Sequence, residues 1–144
     1  MNAHAILQDY LDRLSTAVLE GDFDTYADGV ALPFTLVTAQ KALVIDTSQD
    51  LQDGFDAYHN MLKSQNATDM IRIVERAEQR SGTQIAGRYS TNILAVGNRI
   101  FEPFQSDMIL ENQAGDWRAI WISNDMRNAR WPIHVPALDG KDGA

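Results

Sequence analysis

Few side chains in this sequence could do chemistry, because the chain contains no cysteine. Asp107 could act as an acid or a hydrogen-bond donor, and His59 as an acid or base near neutral pH. Arginines at positions 72, 76, 80 and 88 form a basic group in an otherwise acidic chain. The missing thiols exclude disulfides, thiolate metal sites and cysteine nucleophiles. The predicted chemistry is therefore that of carboxyl, imidazole and guanidinium groups.

The arginines and His59 each have a purely structural interpretation as well. At strand spacing, Arg72, Arg76 and Arg80 share one face and could clamp an anion such as a substrate carboxylate. They could instead form ion pairs across strands on an exposed face, which is the interpretation we favour. His59 could face solvent, because its neighbour Tyr58 fits the apolar stripe of the surrounding segment better.

Charge and composition exclude several classes of function. The 144 residues include 12 basic and 20 acidic side chains, a formal net charge of −8. Phosphate binding needs clustered Lys and Arg, so we expect neither a nucleic-acid surface nor a membrane surface. No His and carboxylate pair has metal-ligand spacing, and no Gly-rich phosphate loop is present, so we expect no metal and no cofactor. Without a visible signal peptide or a long apolar run, a cytoplasmic location is predicted.

Apolar periodicity and turn signals predict helices followed by strands. Residues 69–80 fit either a helix or a strand, and Pro103 is expected at a bulge or an edge. Segregated helices and a strand meander indicate an α+β fold. We expect one domain over residues 1–125 and a C-terminal arm with a frayed tail over 126–144. The remaining predicted elements are helices 4–20, 22–28 and 47–64, and strands 34–37, 42–46, 83–96, 100–111 and 117–123.

Three segments carry a resemblance to a known family: Leu19–Phe23, Ile45–Leu51 and Asp107–Arg118. Their order and lengths resemble the NTF2-like cone fold, which ketosteroid isomerases and SnoaL-type polyketide cyclases share. The resemblance covers residues 4–124 and implies that 69–80 is a strand. It also implies three N-terminal helices on a strongly curved, mixed but mainly antiparallel sheet, with one sheet face lining a pocket and the other forming a dimer.

The resemblance further implies which residues face the pocket. In the isomerases an acid lies eight residues before a turn glycine, as Asp107 lies before Gly115. Asp107 and His59 are then the implied catalytic residues. The alternative is that Asp107 pairs with Arg88 or Arg118, or faces solvent. The implied ligand-binding residues are Tyr58, Arg88, Ser90, Asn92, Gln105, Arg118, Ile120 and Ile122. The implied dimer interface contains Tyr89, Phe104, Met108, Trp117 and Trp121.

The other isomerase residues do not carry over. Leu14 stands where the family has its oxyanion-hole tyrosine, and Tyr10, one helical turn away, could substitute only if the helix shifted. Leu32 stands where the family has its general base. An acid without those partners cannot run that proton transfer, so steroid isomerisation is excluded.

Two hypotheses follow for the function. The first is a small-molecule pocket protein of SnoaL-like type that binds an apolar ligand with few polar handles, with any turnover being cofactor-free isomerisation, cyclisation or dehydration. The second is a non-catalytic module that dimerises or assembles through the outer sheet face. A cavity of a few hundred cubic ångströms containing Asp107 would favour the first. A filled interior would favour the second. The apolar residues Trp131–Val135 are expected to pack over the pocket mouth, on a partner subunit or on their own subunit.

Overall fold

The computed structural model describes residues 2–39 and 41–124. These residues form three helices and seven strands in an order typical of the predicted α+β domain, and residues 69–79 are a strand as the resemblance implied. The predicted arm over 126–144 lies outside the described residues. The helices are α1 (Ala3–Glu20), α2 (Phe23–Asp28) and α3 (Ser48–Ser64), and the strands are β1 (Val30–Val37), β2 (Ala42–Ile45), β3 (Asp69–Gln79), β4 (Gln84–Ala95), β5 (Asn98–Arg99), β6 (Phe104–Gln113) and β7 (Asp116–Asn124).

Capping residues set the ends of the two long helices. The Asn2 side chain accepts a hydrogen bond from the Ala5 amide at the start of α1, and Thr47 does the same for Asp50 at the start of α3. These contacts satisfy backbone donors that have no partner within the helix. Helix α1 ends at Gly21, whose φ of +75° is a conformation that glycine adopts without strain.

One mixed sheet packs against the helices. Its order is β2-β1-β7-β6-β4-β3, with β5 added beside β4. Only β1 and β7 run parallel, and the other neighbours are antiparallel. Strand β1 begins at Val30, before Pro33, and β6 begins at Phe104, so both differ from the predicted boundaries. The mixed, mainly antiparallel sheet confirms the predicted fold class.

The sheet has an inner face toward the helices and an outer face away from them. On β4 the inner residues are Tyr89, Thr91 and Ile93, all at most 2% exposed. Ser106 and Met108 on β6 are buried with them. The predicted orientation of β4 and β6 is therefore wrong: the face that we assigned to a dimer interface forms the core. Its alternating apolar residues pack on α1 and α3 rather than on a second subunit.

Two β-bulges change the orientation of residues along their strands. Val74 pairs with Tyr89 and Arg76 pairs with Arg88, which leaves Glu75 as an extra residue in β3. Because a bulge shifts the alternation by one, Arg72 lies on the inner face and Arg76 on the outer face. A second bulge in β7 leaves Ile120 as the extra residue, between the partners of Ile109 and Leu110 on β6.

Candidate functional site

A cavity of about 80 Å³ lies between the inner sheet face, α3 and the C-terminal part of α1. Its walls are mostly apolar, with one guanidinium and several hydroxyl groups among them. Gly54 lies in the wall on α3, where the absence of a side chain leaves the helix backbone next to the cavity. The lining residues are Val18, Tyr26, Phe34, Leu36, Gly54, Tyr58, Arg72, Tyr89, Thr91, Phe104, Ser106, Ile122 and Asn124.

Among the described residues, Arg72 is the one charged residue that lines this cavity. Its Nε donates a hydrogen bond to the buried Ser15 hydroxyl of α1, at 2.7 Å. Its backbone is held by Gln8, whose amide nitrogen donates to the Arg72 carbonyl (2.7 Å) and whose amide oxygen accepts from the Val74 amide (2.9 Å). The guanidinium carbon lies 5.8 Å from the centre of the Tyr89 ring, a cation–π distance. These contacts fix the position of the side chain from two directions.

No carboxylate of the described residues pairs with this guanidinium. Within residues 2–39 and 41–124, Arg72 forms no ion pair with Asp or Glu, whereas Arg88 and Arg118 both do. A charge taken partly out of water is costly unless something compensates it. Phenol groups and the Ser15 hydroxyl supply part of that compensation, but no residue that the structure describes supplies the opposite charge.

Four tyrosines surround Arg72 and remain protonated well above neutral pH. Burial raises the pKa of Tyr26 to about 12, and the positive charge of Arg72 opposes part of that rise. Burial likewise raises the pKa values of Tyr10, Tyr58 and Tyr89, again with Arg72 in opposition. Each phenol is therefore a hydrogen-bond donor under physiological conditions.

Three of the lining hydroxyls have no hydrogen-bond partner among the described residues: those of Tyr26, Tyr58 and Thr91. Thr91 is only 2% exposed. Tyr10, by contrast, donates to the Gly29 carbonyl at 2.7 Å. Most buried polar groups in proteins are satisfied, and one left without a partner costs about 1–3 kcal/mol. The cavity is thus lined by hydrogen-bond donors that are available to a ligand with acceptor atoms.

The predicted catalytic acid lies on the opposite side of the sheet. Asp107 Oδ2 accepts from Arg88 Nη1 at 2.8 Å, and Arg88 Nε also lies 3.7 Å from Glu75 Oε1. Gln105 bridges this group, accepting from Arg88 and donating to Glu75. The alternative interpretation, that Asp107 pairs with Arg88, is the one that the structure shows. An open groove of about 550 Å³, which Trp121 also lines, lies beside Asp107 on this outer face.

The second predicted catalytic residue, His59, joins two helices. Its Nδ1 lies 2.8 Å from the Val18 carbonyl oxygen near the end of α1. A carbonyl can only accept, so Nδ1 carries the proton of this bond. The ring stacks on Phe55 with 6.3 Å between ring centres, and it fills the space beside Gly21, where an added Cβ would lie 2.9 Å from Nε2. His59 is not among the residues that line the interior cavity.

The other predicted ligand-binding residues divide between the two faces. Tyr58 and Ile122 line the cavity. Ser90, Asn92 and Gln105 lie on the outer face with Arg88, because residues opposite one another in antiparallel strands point to the same side.

Arg118 and Ile120 lie away from the cavity. Arg118 forms ion pairs with Asp28 and Asp116 at the far end of β7, and Ile120 occupies the bulge.

The predicted interface residues also require correction. Tyr89 and Phe104 line the cavity, Met108 is 4% exposed in the core, and Trp117 packs against that core. Trp121 differs from these four: its strand position places it on the outer face, where it lines the groove. Four of these five residues thus serve the interior, since their strands turn the apolar side toward the helices.

Most of the cavity residues were not predicted as ligand-binding, among them the polar residues Tyr26, Arg72, Thr91 and Ser106. A signal for two of them was present in the sequence. Arg72 lies midway between Met70 and Val74 at strand spacing, which predicts a shared inner face. Thr91 lies between Tyr89 and an isoleucine in the same way. Nothing in the sequence pointed to Tyr26, whose short helix has no buried residue.

Comparisons with known proteins concern the fold alone. No protein-family model matches the sequence, and no curated protein matches it. Solved structures do match: an NTF2-like protein of unknown function from Shewanella oneidensis aligns with a TM-score of 0.66 and 11% identity, covering 84% of this chain and 97% of that one. An NTF2-like protein with a cystatin-like fold from Novosphingobium aromaticivorans aligns at 0.64 and 10%, covering 90% and 84%. The chain has the NTF2-like fold.

Another structural neighbour is a candidate ketosteroid isomerase from Shewanella frigidimarina. It aligns with a TM-score of 0.58 and 12% identity, covering 81% of this chain and 92% of that one. At such identities the likeness extends to the fold and not to any activity. The resemblance that the sequence predicted is confirmed at that level.

Two further observations concern metal ligands and membrane-spanning helices. In the described part of the chain, no three His, Asp or Glu side chains come together as metal ligands. No described helix is long and apolar enough to cross a membrane. The interior cavity itself presents proton donors, one cation and apolar walls.

Proposed function

We propose that this protein binds a small organic molecule in the interior cavity between the inner sheet face and α3. The observation that supports this function is a set of lining hydroxyls, on the half-buried Tyr26 and Tyr58 and the buried Thr91, that have no partner within the described residues. A folded protein rarely leaves such groups unsatisfied without a ligand or ordered water. Apolar walls with a few convergent polar groups are typical of small-molecule sites.

Binding is favoured over turnover by the chemical types in the cavity. Acid–base catalysis needs a group that removes a proton as well as one that donates it. None of the lining residues that the structure describes is Asp, Glu or His. The phenols, with their raised pKa values, donate and do not abstract. We therefore propose a binding protein and not an isomerase, cyclase or dehydratase.

A fragment screen by protein-observed NMR tests this function. We expect binding fragments to shift the backbone amides of Tyr58 and Thr91, and Thr91→Val to weaken the strongest of them several-fold. Ser90→Ala, which removes a neighbouring hydroxyl from the outer face, is the matched control and should change nothing. Hits that shift only residues around Asp107 and Trp121, or a screen without hits, would overturn the proposal.

We also propose that the outer sheet face forms a homodimer. Ile71 and Ile73 on β3 are 45% and 51% exposed, an unusual arrangement for two isoleucines on one strand face. The same face carries charges of both signs, with Arg88 between Glu75 and Asp107. A two-fold interface brings one patch against its own copy, so a patch with both signs can be self-complementary.

Sedimentation velocity tests the dimer. Ile73→Glu should produce monomers, because it would place a carboxylate in the interface. The control is Val96→Glu, at an 82% exposed position in the turn after β4, which should leave the assembly unchanged. A wild-type monomer at micromolar concentration would contradict this proposal, as would an Ile73→Glu dimer.

A further inference from the structure

We infer that the ligand of the interior cavity is a small monocarboxylic acid whose carboxylate is bound by Arg72. This inference rests on the proposed function and adds the chemical class of the ligand. The central observation is that Arg72 lines a largely apolar cavity without an ion-pair partner among the described residues.

The hydrogen bonds of Arg72 leave part of its guanidinium available. Nε is committed to Ser15, and the guanidinium carbon lies 5.8 Å from the centre of the Tyr89 ring. A guanidinium has five N–H donors in a planar fork, so donors remain on the terminal nitrogens. Arginine binds carboxylates through such paired N–H groups better than it binds neutral acceptors.

The hydroxyls around Arg72 suit the same ligand. Tyr26, Tyr58 and Thr91 can all donate, and a carboxylate has two oxygens with about four acceptor positions. One carboxylate group could thus accept from the guanidinium and from the hydroxyls together. Water could satisfy the hydroxyls, but it would bring no charge to oppose that of Arg72. A cationic ligand would meet the like charge of the guanidinium and is excluded.

The volume and the walls restrict the rest of the ligand. A cavity of about 80 Å³ is well below the 300–1,000 Å³ that is usual for drug-sized molecules. Phe34, Leu36 and Phe104 supply apolar surface away from the cation. A second charged group would have to be buried against those walls, at a large desolvation cost. The expected ligand therefore has one carboxylate and a short apolar body.

Titration calorimetry with butyrate, its neutral amide butyramide, and succinate tests the class. We expect butyrate to bind at least tenfold more tightly than butyramide, and succinate to bind more weakly than butyrate. In Arg72→Met the preference for the acid over the amide should disappear, with butyrate affinity reduced at least tenfold. Arg76→Met, which removes an exposed arginine from the outer face of the same strand, is the matched control and should bind butyrate as the wild type does.

The two proposals fail differently in this experiment. If butyramide binds as tightly as butyrate and both shift the Tyr58 and Thr91 amides, the carboxylate inference is overturned and the binding function stands. If neither compound, nor propionate or hexanoate, shifts those amides, the inference is overturned, and the fragment screen then decides the binding function. If Arg72→Met fails to fold, Arg72→Lys is the second variant, because it keeps the positive charge and removes the paired N–H groups of the guanidinium. We expect it to retain the preference for the acid at reduced affinity, and loss of the preference would contradict the inference.

Discussion

Two arginines on adjacent strands of one sheet have opposite surroundings. Arg88, on the outer face, lies 2.8 Å from an Asp107 carboxylate oxygen and 3.7 Å from one of Glu75. Arg72, on the inner face, has phenol and hydroxyl groups around it and no carboxylate partner in the described structure. The outer arginine is neutralised by its own chain. The inner arginine is positioned by its own chain, but none of the described residues supplies a counter-ion, which is the arrangement expected when a ligand supplies one.

The largest expected effect is a loss of folding stability when a buried residue of the inner face is removed. Tyr89 is 2% exposed. Tyr89→Ala should lower the free energy of unfolding by about 3–5 kcal/mol, because it removes a large buried ring and leaves a cavity. Its outer-face neighbour offers the control: Ser90→Ala should change stability by less than about 0.5 kcal/mol. Denaturant unfolding measures both. Similar small losses in the two variants would mean that the faces are assigned wrongly.

The sequence predicted the order of the strands but not which side of β4 and β6 faces the helices. The order of elements and the α+β class followed from apolar periodicity and turn signals, and residues 69–80 followed from the resemblance. The orientation failed because it was counted from Gly115 by analogy with a family acid. The alternation of Tyr89, Thr91 and Ile93 was the better guide, since the more apolar side of a strand generally forms the core.

The β-bulges explain why the local sequence pattern could not predict the faces on which Arg72 and Arg76 lie. Arg72 and Arg76 have strand spacing that places them on one face, but the extra residue Glu75 separates them. Nothing in the composition near Glu75 marks the bulge, because its position depends on the pairing with β4. Cavity residues from distant elements, such as Tyr26 and Arg72, become neighbours only through tertiary packing. The residue types of the site could be identified from the sequence, but the strand register that decides which of them line the cavity could not.

The next largest effect is expected at His59, whose contacts with Val18 and Phe55 give it a structural role. His59→Ala should cost about 1–2 kcal/mol of unfolding free energy, because it removes the hydrogen bond to the Val18 carbonyl and the stacking on Phe55. Butyrate affinity should stay within twofold of the wild type. Tyr58→Phe, at the adjacent residue, should do the reverse, weakening butyrate binding with little change in stability. Loss of binding in His59→Ala without loss of stability would restore its predicted functional role.

Alkaline pH gives a third test, through the tyrosines of the inner face. The folded protein holds the pKa of Tyr26 at about 12, above the ordinary value of 10.0, so the unfolded chain loses this proton first. Stability is therefore fully present below pH 10 and declines as the pH rises toward 12. The slope for each such group is at most about 1.4 kcal/mol per pH unit. Denaturant unfolding at stepped pH should show this decline, and Tyr26→Phe should make it shallower. A Tyr26→Phe curve parallel to the wild type would contradict the assignment.

The smallest expected effect is at Asp107, and it separates the two faces most directly. The Asp107 side chain is 43% exposed, so its ion pair with Arg88 is screened by water. Asp107→Asn should change the free energy of unfolding by less than about 1 kcal/mol and leave butyrate affinity unchanged. Arg72→Met, on the other face, should lose that affinity. If Asp107→Asn instead abolished binding, the ligand would lie in the outer groove, and Arg88, not Arg72, would be the arginine that meets it.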